Sequence, residues 1–276
     1  MQTPVMPEKT TAPAGRGKLP ALAHGLSTFL LGGGFLLVFA TLFIAPEANW
    51  PEAVLLILAT VSTFTALVRQ LPGQNVLTAA VVIALIGSGA SALGVRTAIP
   101  FGPFVYGPAT GPQLFKTLPW AIPLLWIVVV LNSRGVARLI LRPWRKTRTY
   151  GFWLMGLTAV LVVVFELAFD PFAAHLKHYW IWEQTKFPLT WQDAPLTNFL
   201  GCGIVVLLML AFATPALINK QLSKRSTPDY HPLGVWLGAV LFCGVAAAMH
   251  GLWLMVAVDA AVAISAAVFA VRGAKW

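Results

Sequence analysis

Eight apolar runs, each long enough to cross a hydrocarbon core of about 30 Å, leave this chain few folds to choose from. They fall at roughly residues 21–45, 50–69, 74–94, 117–140, 148–171, 196–219, 232–249 and 251–272. In lipid every backbone N–H and C=O must be paired within its own segment, so an open sheet is excluded and helices remain. The fold class expected is therefore all-α, a polytopic membrane helix bundle of about eight transmembrane helices. It forms a single integral membrane domain over residues 21–276, behind a flexible, Pro-rich, cytoplasmic N-terminal tail at 1–20. The first run reads as a retained helix and not a cleaved signal peptide, because it is long and further spans follow it.

Composition agrees with this reading: 58% of residues are hydrophobic and 10% are charged, which no soluble domain matches. The net charge of +10 would point to nucleic acid in a soluble protein. Here the basic residues sit between apolar runs, so no nucleic-acid partner is implied and the charge becomes a topology signal. Fifteen of the 19 Lys and Arg residues fall on the side of the two termini; Arg96, Lys116, Lys177 and Lys186 fall on the other. Both termini are thus expected in the cytoplasm, with the protein in a bacterial cytoplasmic (inner) membrane. The basic cluster from Arg134 to Arg148 reads as an orientation signal resting on anionic headgroups. Cys202 and Cys243 have no metal-ligand or redox spacing and read as small buried apolar residues.

Against this apolar background the run VVVFELAFDP, residues 162–171, is anomalous. Glu166 and Asp170 stand four apart, which on a helix puts both carboxyls on one face, about 6 Å from each other. Ionisable groups inside a membrane are costly and mark functional sites by default. Asp259, in the last run, is a third intramembrane acid, and the topology places all three in the outer half of the bilayer. A carboxyl in a low-dielectric surround favours its protonated form and can act as a general acid. Two bland roles stay open beside this: Asp170 as a helix-ending residue before Pro171, and Asp259 as a packing hydrogen bond among small neighbours. Asn198, at the outer start of the sixth run, shares that slab and either holds a water, orients a carboxyl or caps its helix.

Two loops on the expected outer side are rich in aromatics. Residues 95–118 alternate Gly, Pro and aromatic residues and cannot be helical throughout; so much apolar surface is better placed as a cap on the bundle than in water. Residues 172–196 carry Tyr179, Trp180, Trp182 and Trp191, placed either as an interfacial belt or as a pocket lining. Aromatic faces stabilise cations, so Phe101, Phe104, Tyr106, Trp120, Trp126, Tyr179, Trp180 and Trp182 are the expected substrate-binding residues. His175 and His178 stand three apart without a third ligand, so no metal site is assigned. No phosphate loop, GxSxG elbow, HExxH or diphosphate-binding aspartate pair occurs.

The segments PFGPFVYGPATGPQLFKTLPWAIPLLW (residues 100–126), FELAFDPFA (165–173), HYWIWEQ (178–184) and APLTNFLGC (194–202) together resemble a bacterial and archaeal family. This is the carotenoid biosynthesis membrane-protein family, which includes hydratases of γ-carotene and of bacterioruberin precursors. The resemblance spans about residues 80–220, with the motifs in order. It implies cofactor-free addition of water to the terminal isopropylidene double bond of an acyclic carotenoid end group. Glu166 would be the acid, Asp170 or Asn198 would hold the water, and Asp259 would be a further candidate. The implied partners are a carotenoid or other long isoprenoid, membrane lipids and other enzymes of the pathway. The chain departs from the family's pattern in three places: Ser88 and Ser91 stand where an acid precedes the Pro-Phe-Gly loop, Glu166 replaces an Asp, and Cys202 replaces a Trp. Two other classes fit the same residues, a proton-coupled transporter using Glu166 and Asp259, and a non-catalytic scaffold of a carotenoid pathway.

Overall fold

The computed structural model describes residues 18–184, 189–218 and 227–276. The expected tail therefore lies, up to residue 17, outside the described residues. So do Lys186 and the basic residues between 219 and 226.

Eight helices among the described residues are long and apolar enough to cross a membrane: α1 (Lys18–Ile44), α2 (Trp50–Val68), α3 (Gly73–Thr97), α4 (Ala121–Ile140), α5 (Tyr150–Pro171), α6 (Leu196–Ala213), α7 (His231–Met249) and α8 (Trp253–Ala274). The molecule is an all-α polytopic bundle. Large apolar side chains such as Phe29, Phe152 and Leu254 stand more than 60% exposed on its flanks. In water that surface would be untenable; against lipid it is matched.

Local chemistry sets most of the boundaries. Pro51 and Pro232 occupy first turns, where their missing N–H has no partner to lose. The sixth run, expected to reach residue 219, stays α-helical only to Ala213; Pro215 converts the continuation Thr214–Leu217 to a 3-10 turn. The fourth run starts at Ala121 and not near 117, because Leu118–Pro119 is used as strand β3, paired with β2 at Gln113–Leu114.

Helix α4 is the axis of the bundle, packing against α2, α3, α5, α7 and α8. Its burial corrects the reading of the basic cluster. Arg134 does not lie on headgroups: it is 6% exposed inside α4 and donates to Leu217 O at 3.2 Å, a carbonyl left over where the α6 extension ends. The residues before it are engaged as well. Ser133 accepts from Trp236 Nε1 of α7 at 3.2 Å, and Asn132 Nδ2 donates to Thr63 Oγ1 of α2 at 2.9 Å.

Candidate functional site

The two aromatic loops are not separate. Strand β1 (Phe104–Tyr106) of the first pairs antiparallel with β4 (Trp180–Trp182) of the second, matching Phe104 with Trp182, Val105 with Ile181 and Tyr106 with Trp180. Side chains alternate across a strand, so the four aromatic rings share the face toward the helices while Val105 and Ile181 stand 42% and 50% exposed. The rings interlock, with Phe104 centred 5.4 Å from Trp182 and 5.3 Å from Tyr106. Gly107, next to β1, donates its N–H to Tyr179 O at 2.9 Å. Any Cβ there would collide with His178 O.

The end of α5 holds this cap down. Trp180 Nε1 donates to Asp170 Oδ1 at 2.8 Å, and Trp182 Nε1 reaches both oxygens of the same carboxyl at 3.2 Å. Asp170 is fully buried. Pro171 has no N–H to give Leu167 O, its partner four residues back. Trp191 Nε1 takes that place at 3.0 Å. Beyond Pro171 the chain widens into a π-helical turn, Phe172–Leu176, which delivers Lys177 to three acceptors: Pro46 O and Ala48 O at 2.8 Å each, and Glu52 Oε1 at 2.6 Å. The loops after α1, α3 and α5 are thereby joined.

Under β1 and β4 lies a cavity of about 70 Å³, room for a few water molecules. Its walls are Phe101, Phe104, Tyr106, Trp126, Trp180 and Trp182, with Glu166 and Asn198 as polar members. Glu166 retains accessible surface there, whereas Asn198 is buried. Cys202 Sγ donates to Asn198 Oδ1 at 3.6 Å, and Nδ2 is the free end of the amide. That nitrogen is the neighbouring donor for the Glu166 carboxyl. It falls short of hydrogen-bond geometry and has no partner. On the opposite wall Trp126 Nε1 donates to Ser91 Oγ at 3.1 Å. Its indole sits close to α3 because Gly87 has no Cβ; one would lie 2.5 Å from Trp126 Cδ1. Burial pushes the Tyr106 phenol above its ordinary range, opposed by a hydrogen bond with Ser91.

A second cavity, about 420 Å³, shares Ile122, Leu125, Val129, Phe169 and Trp180 with the first. It runs between α2, α4, α5 and α7, from Trp120 and Thr110 in the cap to Asn132 deep on α4.

The expected site residues thus divide. Glu166 and Asn198 come together with Phe101, Phe104, Tyr106, Trp126, Trp180 and Trp182 around the smaller cavity, while Trp120 and Tyr179 line the larger. Asp170 lines neither and is occupied by two indoles. Asp259 lines neither cavity; it packs on α8 against Gly244 of α7, with both oxygens unpartnered. His175 and His178 turn ring nitrogens to Gln192 O and Ala174 O, both at 3.0 Å. Sequence reasoning missed the stripe Ile122, Leu125, Val129 and Asn132, which lines the cavities from α4. Its three- and four-residue spacing was the available signal.

The fold and site define a class: an integral membrane protein whose aromatic cap closes an apolar interior around the cavity-facing Glu166 carboxyl. The chain belongs to a known family, described as carotenoid biosynthesis protein, which matches residues 52–266. It is also 33% identical over 135 residues to bisanhydrobacterioruberin hydratase of Haloarcula japonica. That match covers 49% of this chain and 44% of the relative, so the chain spans less than half the length of the relative it matches. No solved structure matches.

Proposed function

We propose that the protein is a carotenoid hydratase that adds water, without a cofactor, to the terminal isopropylidene double bond of an acyclic carotenoid end group. The observation that carries this is the cavity-facing Glu166, set among aromatic rings with an unpartnered Asn198 Nδ2 beside it. The Glu166 carboxyl gives its proton to the less substituted alkene carbon and leaves a tertiary cation. The faces of Trp126, Trp182 and Tyr106 stabilise that cation while it lasts. A water held at Asn198 donates its lone pair to the cationic carbon. The proton it then loses returns to the Glu166 carboxylate, so the net change is addition of one water. The remaining polyene lies in the contiguous larger cavity, where Trp120 and Tyr179 face it. Asp170 acts by orienting Trp180 and Trp182, and Asp259 has no step.

The test is expression in a host that makes lycopene or γ-carotene, followed by pigment analysis. A hydroxylated product is expected. An unchanged pigment profile beside correctly inserted protein would refute the substrate assignment. Glu166→Gln should lower turnover by about 100-fold or more, the range a general acid contributes; full turnover in that variant would refute the acid.

A further inference from the structure

The larger cavity is apolar along its length but not at its ends. At the cap end stand Glu52, Tyr179 and Thr110; at the deep end stands Asn132, 2% exposed. The Asn132 amide is oriented unambiguously. Its Nδ2 donates to Val128 O at 2.8 Å as well as to Thr63 Oγ1, and a helix carbonyl only accepts, so the nitrogen must be on that side. The other atom, Oδ1, is therefore a carbonyl oxygen, and it has no hydrogen-bond partner. A buried amide oxygen without a donor is an exception that calls for a reason.

Length adds a second constraint. Glu52 and Thr63, the residue that holds Asn132, both lie on α2, eleven residues apart, so the cavity's two polar ends are separated by about 16 Å along the helix axis. The walls between them are mainly apolar and aromatic, including Leu55, Ala59, Phe165, Phe169 and Trp236. This shape admits an extended chain and offers it one acceptor at its buried end.

We propose that the larger cavity binds a long unsaturated chain that carries a hydroxyl, with the hydroxyl donating to Asn132 Oδ1. The proposal rests on the reading above for its choice of an isoprenoid occupant. It goes further in making the physiological ligand an alcohol and not a pure hydrocarbon. The other occupant of such a space is a phospholipid acyl tail, which has no donor to offer Asn132, so the two differ in a measurable way.

The experiment uses the full chain in lipid nanodiscs, titrated with the alcohol of parinaric acid, a linear conjugated tetraene, and with the methyl ether of that alcohol. Energy transfer from the cavity tryptophans, among them Trp120, Trp180 and Trp236, reports occupancy. The native protein should bind the alcohol about five- to tenfold more tightly than the ether, the worth of one hydrogen bond. Asn132→Leu should bind both at the affinity of the ether. Ala239→Phe, which fills the cavity from α7 and leaves residue 132 unchanged, should bind neither. Equal binding of alcohol and ether by the native protein would overturn the proposal in favour of an apolar tail site. A preference that survives in Asn132→Leu, or binding that survives in Ala239→Phe, would overturn it by moving the ligand elsewhere. Because the readout is binding and not turnover, the alcohol preference is measured whatever the pigment analysis shows, so failure of the hydration reading and failure of this one are distinguishable.

Discussion

Replacing Asp170 tests the claim that this carboxyl holds the cap. In the native protein it accepts from two indole N–H groups, Trp180 at 2.8 Å and Trp182 at 3.2 Å, and it is fully buried. Asp170→Leu keeps a side chain of similar bulk but leaves both donors without an acceptor. A buried polar group stripped of its partner costs about 1–3 kcal/mol, so two of them cost about 2–6 kcal/mol. Asp170→Asn keeps Oδ1 for both indoles and puts an amide nitrogen where Oδ2 accepted from Trp182, so it should cost at most about half as much. Combining Asp170→Leu with Trp180→Phe and Trp182→Phe removes the stranded donors and should recover part of the loss. The measurements are unfolding free energy in mixed micelles of rising SDS fraction, and hydrogen exchange of peptides spanning residues 100–107 and 178–184. Exchange should rise in both peptides together, because β1 and β4 are one ladder. The reasoning fails if the Asn and Leu variants match the native protein in stability, or if only one of the two peptides loosens.

Other contacts make equally direct predictions. Trp191→Phe leaves Leu167 O with neither a helix donor nor an indole, and should cost about 1–3 kcal/mol in the same micelle assay; an unchanged free energy would show that the Leu167 carbonyl is satisfied otherwise. Lys177 and Glu52, with side chains 6% and 13% exposed, form a buried ion pair. Lys177→Met alone should cost about 3–5 kcal/mol by stranding a carboxylate, and adding Glu52→Gln should restore most of it, which a double-mutant cycle checks directly.

The helices were legible in the sequence because a membrane imposes its own ruler: apolar length predicted all eight, and the misplacements at residues 117 and 219 came from Pro119 and Pro215. The 95–118 loop was expected as a cap, but the pairing that builds it was not legible. Its strands are three residues long and belong to different loops, so nothing in either FVY or WIW announced its partner. Arg134 was misread for a related reason. On sequence it belongs to a basic cluster, and only the carbonyl left by α6 explains why it points inward. Asn198 and Glu166, which line one cavity, stood out in the sequence because polar atoms in apolar runs are conspicuous. The role of Asn132 depends on Val128 O and on a cavity between four helices, neither of which shows in the run of residues around it.

The two carboxyls on α5 show how little a shared helical face fixes about chemistry. Glu166 and Asp170 have the same spacing, sign and helix, yet the loops that fold back onto α5 treat them oppositely. Two indoles reach Asp170 and occupy its oxygens, so a water or an alkene has no place there. The same two indoles then form one wall of the cavity into which Glu166 opens. Asp170 is accordingly part of the reason Glu166 has a shaped, aromatic surround, and the division of labour is made by the loops and not by the helix. An assay separates them: a glutamine at 166 should remove turnover with the cap intact, whereas an asparagine at 170 should loosen the cap first and lower turnover through it.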